Sequence, residues 1–117
     1  MQKLKSLGEE AATYLETNLS KALEKYQKVL LLTHVPPFRE ACRWEGRMSD
    51  DDWAPHFVGF QTGERLVNLM QKHPKLELIV LCGHSHQPAN VTILPNLTAL
   101  AGESHLGLPQ IQGIVFV

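Results

Sequence analysis

An α/β fold is predicted by three features of the sequence. One is a short unbroken apolar run over 29–32, the second is a similar run over 78–82, and the third is a helical pattern between them over 62–73. Short apolar runs without alternation suit strands covered on both faces, as in a parallel sheet. Strand, helix, strand in that order gives a right-handed βαβ unit with parallel strands. A C-terminal antiparallel hairpin follows it. A length of 117 residues suits a single domain over 1–117.

Residues 4–27 read as an amphipathic helix. Leu4, Leu7, Ala11, Leu15, Leu19, Ala22, Leu23 and Tyr26 recur at helical spacing with Glu and Lys between them, and this stripe is expected to pack on the core. The run Val29-Leu30-Leu31-Leu32 is the first strand. Residues 34–59 form a long irregular stretch broken by Pro36, Pro37 and Pro55. Ser49 can cap a short helix there, with Asp52 closing a capping box. A loop of that length inside a small domain usually carries function. In the helix over 62–73, Thr62 is the expected cap, Leu66, Leu69, Met70 and His73 share a face, and Pro74 stops it. After the strand over 78–82, residues 90–94 and 97–101 flank Pro95-Asn96, a good turn pair, and form the hairpin. Residues 114–117 read as a last short strand.

Net charge is −1 and the pI is about 6.6, so neither nucleic acid nor a membrane surface is indicated as a partner. No apolar run is long enough to span a bilayer, and the first residues hold no signal-peptide core. Two cysteines, Cys42 and Cys82, fit a reduced cytoplasmic setting better than a disulfide, with Cys82 a small buried hydrophobe. Neither has a histidine neighbour in a recognisable nucleophile motif, so a cysteine hydrolase is a weak reading.

The histidines are more informative. His34 follows the first apolar strand with only Thr33 between, and His84 follows the second with only Gly83 between. Both then stand at the carboxyl edge of parallel strands, where open α/β sheets bind ligands. His86 lies two positions beyond His84, and in extended chain such residues point the same way about 6.6 Å apart. That spacing suits two ligands of one ion, or one ligand for each of two ions, and Gly83 is expected to permit a tight turn beside them. Neutral imidazoles suit zinc, iron, manganese or nickel. His73 and His105 lack this placement and read as ordinary packed or surface residues, while His56 sits in the long loop that reads as functional.

The segments LLLTHVPPF and VLCGHSHQP resemble the last two motifs of the calcineurin-like metallophosphoesterases. Gly83-His84-Ser85-His86 matches the family's Gly-His-x-His, and His34 matches its Gly/Thr-His. The resemblance covers residues 28–101. It implies a partial metallophosphoesterase sandwich, with His34 and His84 on the second metal of a two-metal centre and His86 on the first. It implies divalent metal cofactors, two in the complete enzyme, drawn from manganese, iron, zinc and nickel. The implied reaction is hydrolysis of a phosphate mono- or diester by a metal-held hydroxide. The family's earlier motifs, Asp-x-His, Gly-Asp and Gly-Asn-His-Asp/Glu, do not occur. The chain therefore resembles the carboxyl-terminal half of such an enzyme, and no catalytic residue is assigned in it. The alternative is a non-catalytic metal-binding or interaction module derived from that fold.

The loop over 36–59 overhangs the metal edge in this reading. Arg39, Arg43 and Trp44 are its substrate-binding candidates, by guanidinium contact to phosphate and stacking on a base. Packing the loop down is the commoner use of its tryptophans. A half-sheet that leaves an apolar face is expected to bury it, against a second copy in a homo-oligomer or against a separate N-terminal half.

Overall fold

The computed structural model describes residues 2–41, 43–44, 47–48, 60–83, 88–102 and 114–115. Helix α1 spans Gln2–Lys25 and strand β1 spans Lys28–Leu32. A 3-10 turn at Arg39–Ala41 leads to a two-residue ladder of β2 (Arg43–Trp44) and β3 (Arg47–Met48). Helix α2 spans Phe60–Gln71, followed by β4 (Glu77–Cys82), β5 (Ala89–Leu94) and β6 (Leu97–Ala101). The main sheet has the order β1-β4-β6-β5. Strands β1, β4 and β6 are mutually parallel, and β5 is antiparallel to β6 with an irregularity between Thr92 and Leu94. The expected βαβ unit and hairpin are both present. What the sequence pattern did not indicate is that β6 returns to pair with β4, which joins unit and hairpin into one sheet.

The core lies on one face of this sheet. Leu78, Val80 and Cys82 of β4 and Leu97, Ala99 and Ala101 of β6 alternate inward. They meet Leu19 and Leu23 of α1, Leu66, Leu69 and Met70 of α2, and Phe38 and Ala41 of the loop. Leu30, Leu32, Ile79, Leu81 and Leu100 do not belong to that cluster. They stand on the opposite face, and Leu32 is 74% exposed. The expectation that β1 is buried on both faces is therefore corrected. An unbroken apolar run fits a strand between two layers, and it fits equally a strand with one layer beside it; β1 is moreover an edge strand among the described residues.

The stripe on α1 also needs correction. Ala12, Leu19 and Leu23 are buried, whereas Leu7 and Tyr26 are exposed. A helix of 24 residues is about 36 Å long, and strands of five or six residues span roughly 17–20 Å. Its first turns overhang the sheet and lie beside α2 instead. There Gly8 abuts Gln61, and Arg65 donates to Glu9 at 3.0 Å and to Glu16 at 3.1 Å. These two carboxylates hold the guanidinium above its ordinary pKa, the hydrogen bond to Glu16 contributing most. The pair of bonds fixes the register of the two helices, but solvent screening keeps such bridges weak as a source of stability.

Helix α2 begins at Phe60 and ends at Gln71, so Thr62 lies inside it and does not cap it, and His73 lies beyond its end. The end is closed from another element. Asn96, in the β5–β6 turn, donates its amide to the carbonyls of Met70 at 3.0 Å and His73 at 2.8 Å. Its own carbonyl accepts from Leu78 N–H at 2.9 Å. One residue thus ties the hairpin turn, the helix end and the start of β4. Asn96→Ala removes a side-chain donor from both carbonyls and leaves each with one backbone donor, His73 N–H to Met70 at 3.2 Å and Leu76 N–H to His73 at 3.0 Å. It should cost about 1–2 kcal/mol and lower Tm by roughly 4–10 °C in a thermal melt. A Tm unchanged within about a degree would mean that water replaces the amide at no cost.

Ile114 and Val115 are described without strand structure, and Ile114 is exposed, so the expected strand over 114–117 is not formed at those two residues. Phe116 and Val117 lie outside the described residues, as does the short helix expected at Ser49–Asp52. No helix among the described residues is long and apolar enough to cross a membrane.

Candidate functional site

The three parallel strands end together. Beyond β1, Thr33 N–H donates to Leu81 at 2.9 Å; beyond β4, Gly83 N–H donates to the His34 carbonyl at 2.9 Å; beyond β6, Gly102 N–H donates to Cys82 at 2.9 Å. The ladder therefore runs past the formal strand ends and holds His34, Gly83 and Gly102 side by side. His34 is exposed at this carboxyl edge, where its sequence position put it. His84 and His86 follow Gly83 in the chain and lie outside the described residues, so the structure gives no placement for their imidazoles. His56 and His105 also lie outside them. His73 is exposed between α2 and β4, at the amino end of β4 and hence the opposite edge of the sheet.

The segment after His34 is held down tightly for a loop. Thr33 Oγ1 donates to the Val35 carbonyl at 2.9 Å, which folds the chain back locally. Pro36, Pro37 and Phe38 are then all buried. Helix α2 presses on them at Gly63, where a Cβ would stand 2.0 Å from the Pro37 carbonyl oxygen. Only glycine admits that approach. Sequence reasoning missed Gly63, and a lone glycine inside a helical pattern was the available signal. The turn expected after Gly83 lies outside the described residues. Among the described residues a Cβ at Gly83 would meet nothing nearer than the His34 carbonyl at 4.0 Å, so no crowding demands glycine at that point.

Arg39 is half-buried on the 3-10 turn and lies at a groove of about 440 Å³ floored by Pro37, Phe38, Val67 and Ile93. Glu40 and Glu64 share the groove's rim, so its charge does not by itself select phosphate. Arg43 and Trp44 form one arm of the short ladder, and their side chains lie outside what is described. Cys82 is unbridged and buried on the core face, and its thiol donates to the Leu100 carbonyl at 3.6 Å. A buried structural thiol of that kind is inert, which removes it as a nucleophile.

Among the described residues no group of three or more His, Cys, Asp or Glu side chains is placed to hold a metal ion. His34 is the one described member of the expected ligand set. Taken by its chemistry, the set of His34, His84 and His86 fits one borderline divalent ion with open positions. It does not fit two ions, because no carboxylate in the set offsets the repulsion of two adjacent dications. Comparison with family models, with curated proteins and with solved structures found no match to this chain.

Proposed function

We propose that this chain carries the carboxyl-terminal ligand set of a metal-dependent phosphoesterase, with His34, His84 and His86 as metal ligands. One observation supports the reading above others. The hydrogen bond from Gly83 N–H to the His34 carbonyl ties together the two chain segments that bear these histidines. Their resemblance to the Thr-His and Gly-His-x-His motifs supplies the reaction class, hydrolysis of a phosphate mono- or diester. A bound divalent ion would supply Lewis acidity and a hydroxide at neutral pH. The chain's own part is to hold the imidazoles at the sheet edge, with Pro36, Pro37 and Phe38 fixing the backbone behind His34. The bridging carboxylate that a second ion needs must come from outside this ligand set, so the isolated chain is expected to bind metal and to hydrolyse phosphate esters little above background.

Titration calorimetry with zinc tests the reading. The wild-type chain should bind one zinc, and His84→Ala should weaken binding at least tenfold, while His105→Ala leaves it within about threefold. Equal zinc affinity in the wild type and His84→Ala would remove His84 from the site and the reading with it.

A further inference from the structure

The register of the parallel strands supplies a chain neighbour for His84. Strands β4 and β6 pair from Leu78 with Leu97 to Cys82 with Ala101, and the ladder runs one step further, where Gly102 N–H donates to the Cys82 carbonyl at 2.9 Å. Gly83 and Gly102 are thus level at the carboxyl edge. In the chain, His84 comes next after Gly83 and Glu103 next after Gly102. Both lie outside the described residues; what is described is the pair of glycines that precede them. With the order β1-β4-β6, the β4 segment lies between the segment of His34 and the segment of Glu103. Among the described residues no other carboxylate belongs to this edge. Glu9 and Glu16 of α1 are engaged by Arg65, and Glu77 opens β4 at the opposite edge, where it pairs with Lys28 at 3.6 Å. Glu40 and Glu64 rim the groove floored by Phe38, Val67 and Ile93.

We propose that Glu103 is a further ligand of the divalent ion, delivered beside His84 by the pairing of β6 with β4; this rests on the reading of His34, His84 and His86 as metal ligands. Three adjacent strand ends then each contribute to one ion, His34 from β1, the Gly-His-x-His segment from β4 and Glu103 from β6. Level positions on neighbouring strands are about 4.8 Å apart, a span that two side chains sharing one ion can close. The chemistry favours the addition. Three neutral imidazoles leave the whole charge of a dication uncompensated, and one carboxylate offsets half of it. A histidine set joined by one carboxylate is an ordinary donor set for a borderline divalent ion. Glu103 holds that ion as a fourth protein ligand and leaves the number of ions at one.

Zinc calorimetry on the full chain tests it. Glu103→Gln removes the charge at constant size and should raise the dissociation constant about tenfold, with the fold checked by circular dichroism. Glu40→Gln, exposed on the groove rim, should leave it within about threefold. A second measurement needs no variant and decides the matter if Glu103→Gln loses its circular-dichroism signature. Carbodiimide coupling of an amine to the carboxylates of the wild-type chain, read by mass spectrometry, should lose its label at Glu103 when zinc is bound and keep it at Glu40. Zinc affinity unchanged in Glu103→Gln, together with a loss in His84→Ala, overturns the role of Glu103 and leaves the histidine reading standing. Equal labelling of Glu103 with and without zinc does the same. Equal zinc affinity in the wild type and His84→Ala removes the histidine reading, and Glu103 falls with it.

Discussion

Leu97→Ala is expected to lower the stability of the chain by about 3 kcal/mol. Leu97 is fully buried at the start of β6 and sits in register beside Leu78, which is also fully buried. Both belong to the cluster that α1 and α2 close from above. Strand β6 is held by β4 on one side and β5 on the other, so the backbone around the lost side chain has little room to collapse. The cavity term then adds to the transfer term in full. In urea the midpoint should fall by about 1–2 M. Leu81→Ala is the matched comparison. Leu81 lies on the adjacent strand but on the outer face, and it is only half-buried. Its loss should cost about 1 kcal/mol or less. Equal losses at Leu81 and Leu97 would show that both faces are packed alike and that the core is not one-sided.

The elements of the fold were legible because their signals are local. Unbroken apolar runs and helical periodicity report on a strand or helix within its own length, and the runs at 29–32 and 78–82 did so. What covers each element is a different question. Leu30 and Leu32 are as apolar as Leu31, and nothing in KVLLL says that one side has a helix layer and that, among the described residues, the other does not. The same holds for α1. Tyr26 continues the stripe begun by Leu19 and Leu23, yet α1 ends at Lys25 and Tyr26 is exposed in the link to β1. The parallel pairing of β6 with β4 was equally invisible, since it joins segments whose own patterns demand only a hairpin.

The site was legible as a position more than as a geometry. His34 stands at the carboxyl edge because a buried strand delivers it there, and strand ends can be read from sequence. The clamp behind it was not readable. The burial of Pro36 to Phe38 and the pressure of Gly63 on Pro37 depend on where α2 crosses the loop. Asn96 is a similar case. It reads as half of a Pro-Asn turn, and its second use, closing the end of α2, exists only once the hairpin has docked.

Gly63→Ala should destabilise the chain by about 3 kcal/mol, against the usual sign for that change in a helix. Alanine in a helix interior is ordinarily favoured over glycine by about 1 kcal/mol. Here the added Cβ would stand 2.0 Å from the Pro37 carbonyl oxygen and 3.2 Å from Phe38 Cδ1. Relief requires α2 and the loop to part by about an ångström, because the contact is with backbone and no flexible side chain can swing away. The loop resists, since proline fixes φ at two successive positions and Phe38 is seated in the core. The strain must then pass along the loop, forward to the bond from Ala41 N–H to Phe38 at 3.1 Å and back, past Val35, to the bond from Gly83 N–H to His34 at 2.9 Å. Hydrogen exchange read residue by residue separates this from general loosening. In Gly63→Ala the Gly83 amide should exchange faster by more than the loss of global stability explains, while β4 amides in the core follow that loss. Asn96→Ala, which weakens the opposite end of the same sheet, should leave the Gly83 amide tracking the global change. Zinc affinity should fall in Gly63→Ala and hold in Asn96→Ala if the loop sets the position of His34. A Gly63→Ala chain as stable as the wild type would mean that α2 does not press on the loop, and the clamp behind His34 would have to be abandoned.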